Sequence, residues 1–116
     1  MTSYGRLVAA GTPTQRIKFT SADFPQPGDW KSIAINSMTY DSLINIDYDY
    51  ASTGISGYNL NYSIFDNVKM WGTLGNSSSG GLYFTNSNYL TIKNCEILTK
   101  GSYGISIDGV VVLINE

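Results

Sequence analysis

A six-residue pattern recurs along this chain with every column chemically alike, and that recurrence restricts the fold more than any other feature. Leu43-Ile44-Asn45-Ile46-Asp47-Tyr48 lies over Phe65-Asp66-Asn67-Val68-Lys69-Met70 and Ile92-Lys93-Asn94-Cys95-Glu96-Ile97 without a gap. Columns one, four and six are apolar and are expected to face inward, whereas Asp47, Lys69 and Glu96 in column five are charged and face out. The inward positions change parity at Asn45, Asn67 and Asn94, so a bend is expected there. Asparagine tolerates the left-handed backbone, and stacked amides bond one another in a ladder. The competing account is coincidence in a loop-rich chain, against which the flanking apolar columns argue.

A second strand motif, with apolar residues two apart, is read at Ile33-Ala34-Ile35, Tyr58-Asn59-Leu60, Leu82-Tyr83-Phe84 and Ile105-Ser106-Ile107, with starts 25, 24 and 23 residues apart. Gly57, Gly81 and Gly104 precede the last three. Two strands per unit of about 24 residues exceed what hairpin turns allow, so the units are expected to stack as coils. The expected fold class is all-β, a right-handed parallel β-helix of about four to five coils rising ~4.8 Å per coil. A small β-sandwich is the alternative. Leucine-rich repeats share the period but need a leucine-dense consensus that is missing here.

With 116 residues, of which 42% are hydrophobic, the chain supports one core, read as a single domain over 1–116, either whole or a piece of a longer solenoid. The formal charge is −2, which removes nucleic acid from the expected partners. Histidine is absent and Cys95 is the single cysteine, so neither a metal centre nor a cofactor is expected. No apolar run approaches the roughly 20 residues of a membrane-spanning helix, and no secretory signal is read at the start.

The opening residues carry a more specific pattern: Gly5-Arg6-Leu7-Val8-Ala9-Ala10-Gly11-Thr12, then Ile17-Lys18-Phe19-Thr20-Ser21, then Pro27-Gly28-Asp29-Trp30. This resembles the first coils of secreted and surface right-handed parallel β-helix proteins. Lys31 and Ser32 follow the tryptophan here, where that family usually has glycines. The resemblance implies the fold and an extracellular or surface location. It implies little about activity, because such solenoids include lyases, hydrolases, adhesins and inert spacers. Asp29 is expected to accept backbone N–H bonds and Trp30 to cover the core edge, with Ala22 to Gln26 as an inserted loop.

Chemistry is sparse. Asp47, Lys69 and Glu96 form a vertical acid-base-acid column with Asp49 on the same face, and Asp66 stands over Lys93. These read either as a site or as a charge ladder that keeps a flat sheet soluble and in register. Arg6 and Arg16, in the first coil, are expected to lie away from the acids. Tyr40, Tyr62 and Tyr89 fall in one line five residues before the asparagines, and exposed rings in a row suit sugars, although corner packing explains them as well. Trp71, Tyr83 and Tyr103 also fall at outward parity.

Val110, Val112 and Ile114 belong to an apolar last strand without a polar cap, and Leu7 lies in the first strand. Solenoid ends need covering, so the partners expected are a second copy stacked end to end or the rest of a longer chain, with polysaccharide as the candidate ligand. The first reading is a non-catalytic structural or glycan-contacting module that assembles into filaments. Its rival is a polysaccharide lyase or glycoside hydrolase fragment using Asp47, Asp49, Glu96 and Lys69.

Overall fold

Among the described residues the β-branched and aromatic residues of the repeats form ten strands, and each strand pairing is parallel. The computed structural model describes residues 1–22, 24–37, 40–73, 81–98 and 104–115, with the backbone alone from 107 onward. In chain order the strands are β1 Thr2–Ser3, β2 Val8–Ala10, β3 Ile17–Phe19, β4 Ile33–Asn36, β5 Ser42–Asp49, β6 Ile55–Tyr58, β7 Ile64–Trp71, β8 Leu82–Lys93, β9 Glu96–Ile97 and β10 Ile105–Asn115. The described residues contain no helix.

The pairings sort into three faces. The first stacks β1, β4, β6 and the starts of β8 and β10. The second stacks β2, the first halves of β5 and β7, and the ends of β8 and β10. The third stacks β3, the second halves of β5 and β7, and β9. Four coils and the first two faces of a fifth result, so the chain is a parallel β-helix within the expected coil number. The sandwich alternative is overturned, because its sheets are antiparallel.

The hexad columns pair as expected: Leu43 with Phe65 and Phe65 with Ile92, then Ile46 with Val68, and Asp47 with Lys69 and Lys69 with Glu96. Leu43, Phe65, Ile46, Val68 and Tyr48 have no exposed surface. The Tyr48 hydroxyl donates to the Thr53 and Gly54 carbonyls inside the core, and burial pushes its pKa up. Cys95 lies in the inward column, and burial raises its thiol pKa too.

The first face departs from the expected register. Its true column is Ile33, Ile55, Leu82 and Ile105, so Tyr58-Asn59-Leu60 is no strand equivalent to Leu82-Tyr83-Phe84. Asn59 has φ 63 and turns the chain, leaving Tyr58 exposed and Leu60 buried. Gly57 pairs with Ile35 and Phe84, and a Cβ there would lie 2.6 Å from the Leu60 side chain and 2.8 Å from that of Phe84. Its missing side chain is space that Leu60 fills. The glycine that matches Gly81 is Gly54, whose added Cβ would stand 1.8 Å from the Gly81 carbonyl oxygen.

At the corner between the second and third faces, Asn45, Asn67 and Asn94 have φ 56, 56 and 55. Asn67 Nδ2 donates to Asn45 Oδ1 at 2.8 Å, and Asn45 Nδ2 donates to the Gly11 carbonyl at 2.9 Å. The third rung differs from the expected ladder: Asn94 is exposed and donates to Asp66 Oδ1 at 3.2 Å. The bend recurs in each of these coils, and the amide chain runs through the lower two rungs.

The Pro27–Trp30 segment docks against the third face. The Gly28 and Asp29 N–H groups both donate to the Tyr50 carbonyl, and Trp30 Nε1 donates to the Asp49 carbonyl at 2.7 Å. Asp29 accepts from the Ser21 hydroxyl and the Gln26 N–H, which hold its carboxyl below the usual range.

Candidate functional site

The aromatic candidates fall in three places. Tyr40, Tyr62 and Tyr89 gather at the corner between the first and second faces. Asn59 and Asn86 begin this corner with left-handed backbone and an amide-to-amide bond, a second asparagine pair that the hexad pattern does not reveal. Three residues on, Tyr62 and Tyr89 take φ 51 and 57 themselves. Left-handed φ is uncommon for a bulky side chain and costs of order 1 kcal/mol or more.

Their rings stack at 4.9 Å between centroids with 11° between planes, and Tyr40 leans on Tyr62 at 5.7 Å and 47°. The residues remain 52%, 43% and 57% exposed for Tyr62, Tyr89 and Tyr40. Ring faces within the stack cover one another, so ring edges and phenol groups are what the corner presents along the solenoid axis. Beneath it, buried Asp41 accepts from the Leu7 N–H at 2.7 Å and from Ser63, and desolvation raises its pKa.

Tyr83 lies on the outer side of the first face, where it lines a shallow groove with Tyr4 and Tyr58. Trp71 lies on the third face against Tyr50, edge to face at 4.9 Å. There Asp47, Asp49, Lys69 and Glu96 line one open pocket with Trp71 and Lys18. Tyr103 lies outside the described residues.

The charges of this face are largely paired. Lys69 stands 3.8 Å from Glu96 with both exposed, and on the neighbouring second face Lys93 stands 3.9 Å from Asp66. Asp47 is bound by Arg16 Nε at 2.8 Å, which corrects for Arg16 the expectation that the first-coil arginines lie away from the acids. Ile17 pairs with Ile46, so Arg16 sits directly beside the asparagine corner. Its guanidinium also donates to the Ile46 and Asn67 carbonyls at 2.7 and 2.8 Å. Registering Ile17 on Ile46 in the sequence would have located it.

Of the end residues, Leu7 is half-buried against the core, and its carbonyl accepts from the Ser42 N–H at 2.9 Å. The backbone of β10 runs beside β8, with Val110 opposite Asn88 and Ile114 opposite Ile92, while Val112 falls at a register shift. Their side chains lie outside the described residues. Among the described residues no group of three or more Cys, Asp and Glu is placed to hold a metal ion, and no helix is long and apolar enough to cross a membrane.

No family model, curated protein or solved structure matches the chain. The functional reading therefore rests on geometry.

Proposed function

We propose that this β-helix is a non-catalytic, glycan-contacting module of an extracellular or surface protein, and that a polysaccharide runs along the solenoid axis over Tyr40, Tyr62 and Tyr89. One observation carries the reading: Tyr62 and Tyr89 hold exposed, stacked rings on left-handed backbone. Asparagine or glycine would occupy that backbone at lower cost, so a tyrosine in this position points to use of the ring. Phenol hydroxyls repeated coil by coil offer donors and acceptors to a chain of hydroxyl-bearing units, and ring edges pack on its C–H groups. The location rests on the resemblance of the opening coils.

Pairing of Asp47 with Arg16 and of Glu96 with Lys69 supports a charge ladder over a general acid-base pair. Polysaccharide cleavage remains the rival because Asp47, Asp49, Lys69 and Glu96 share one pocket. A glycan array probed with the full chain tests the proposal: hits that Tyr62→Ala abolishes while the fold is retained support it. A folded wild-type chain without hits reduces the tyrosines to corner packing. Release of sugar from any hit, lost in Lys69→Ala, would move the reading to the enzyme.

A second reading, assembly through the ends, draws on the strand edges. Among the described residues β1, β2 and β3 each pair with one strand, and β10 pairs with β8 alone. Open edges and apolar strands recruit a further strand, from another copy or from further coils of a longer chain. If copies stack, mass by light scattering rises with concentration and Val112→Lys reverses it. A monomer at high concentration excludes self-assembly.

A further inference from the structure

Asp49 is 9% exposed, and among the described residues its Oδ1 is the buried side-chain oxygen or nitrogen that lacks a hydrogen-bond partner. Native folds leave few such atoms, and because this oxygen has almost no surface open to solvent, the Asp49 carboxylate has to turn toward the pocket before a donor from a ligand reaches it. Asp49 lines the third-face pocket, a shallow space of about 280 Å³, close to the low end of the ~300–1,000 Å³ typical of small-ligand clefts. Trp71 is 44% exposed beside it, opposite Asp49 in the strand register.

The backbone around Trp71 repeats the signature of the tyrosine corner. Tyr50 follows Asp49 at φ 61, and Gly72 follows Trp71 at φ 66. Glycine meets that backbone in one coil, whereas the coil below retains a tyrosine whose ring braces Trp71 at 67°. The tryptophan is thus held in place while part of its surface stays open.

Charge defines what fits. Asp47 is occupied by Arg16, Glu96 is loosely paired with Lys69, and exposed Lys18 makes no ion pair with a described residue. A cationic ligand meets Lys18 and Lys69, and an anionic one meets Asp49 and Glu96. A neutral ring bearing hydroxyls meets neither penalty: one hydroxyl donates to Asp49, another accepts from Lys18, and a C–H face lies on Trp71. We infer that the pocket formed by Lys18, Asp49, Lys69 and Trp71 binds a neutral saccharide unit, at a site separate from the tyrosine corner. This inference extends the glycan-contacting reading to other residues and rests on it for the class of ligand alone.

The test is a titration of the ¹⁵N-labelled full chain, followed at the indole N–H of Trp71, which Trp71→Phe distinguishes from that of Trp30. The probes are methyl glucoside and methyl galactoside, with glucosamine and glucuronate as charged counterparts. The expected result is a saturable shift with at least one neutral glycoside and weaker binding of both charged sugars. Asp49→Ala weakens that binding about tenfold, and Asp49→Asn, which keeps the acceptor, preserves it; if Asp49→Ala does not fold, Lys18→Ala takes its place. Tyr62→Ala leaves the titration unchanged. Absence of a saturable shift with either neutral glycoside, tighter binding of a charged sugar, or loss of binding in Tyr62→Ala overturns the inference. A glycan array without Tyr62-dependent hits alongside an intact titration removes the tyrosine-corner reading and leaves this one standing.

Discussion

At the corner between the second and third faces the left-handed residues are Asn45, Asn67 and Asn94, whereas the corner between the first and second faces gives Tyr62 and Tyr89 φ angles within a few degrees of theirs. The backbone task is the same and the chemistry is opposite. The asparagines suit the conformation, and the lower two bond along the stack, Asn67 to Asn45 and Asn45 to Gly11. The tyrosines tolerate it at a cost and point their rings out.

The contrast breaks most visibly through the asparagines. Asn67→Ala places a Cβ residue without a capping amide at φ 56 and leaves Asn45 Oδ1 without its donor, so chemical denaturation is expected to show a loss of about 1–3 kcal/mol. A neutral outcome would mean that the ladder decorates the corner without supporting it. Asn94→Ala is expected to cost less, since its amide is exposed and bonds to Asp66.

A smaller effect comes from Asp41 under the tyrosine corner. Desolvation raises its pKa in the fold, so the native state holds that proton more tightly than the unfolded chain does. Its contribution to stability is fullest below the ordinary carboxylate range and declines as pH rises through the raised value. The stability of wild type minus that of Asp41→Asn is therefore expected to fall across that window and to be flat outside it. A difference that rises with pH would show a carboxylate stabilised by its partners, the Leu7 N–H foremost.

The charge ladder is expected to matter least for folding. Lys69→Ala removes a 3.8 Å contact between two exposed groups and should alter stability by less than roughly 1 kcal/mol. A larger loss would place the third face among the elements that hold the coils in register.

How much of this was legible in the sequence depended on whether spacing stayed constant. The hexads were readable because a one-residue asparagine bend joins the second face to the third, so each column keeps its register from coil to coil. The first face was misread at Tyr58, because apolar residues two apart also flank a left-handed turn at Asn59. From Ile33 to Ile55 the repeat is 22 residues, but from Ile55 to Leu82 it is 27, and the added length falls after Trp71. The tyrosine line was visible as a column, but its φ angles were not, since local sequence favours asparagine at such positions. Pairing of Arg16 with Asp47 needed the register of β3 on β5, and the unpartnered Asp49 oxygen needed the packing around it.

The central claim is that the tyrosines at the corner are there for contact and not for folding, and Tyr62→Asn tests it in one protein. Asparagine relieves the left-handed strain and forfeits ring stacking worth ~0.5–1.5 kcal/mol, so the two effects offset to within about 1 kcal/mol. Denaturation and glycan-array binding measured side by side on this variant should give stability near wild type together with loss of the wild-type hits. A variant that loses several kcal/mol yet keeps those hits would contradict the account and make the stack a structural corner.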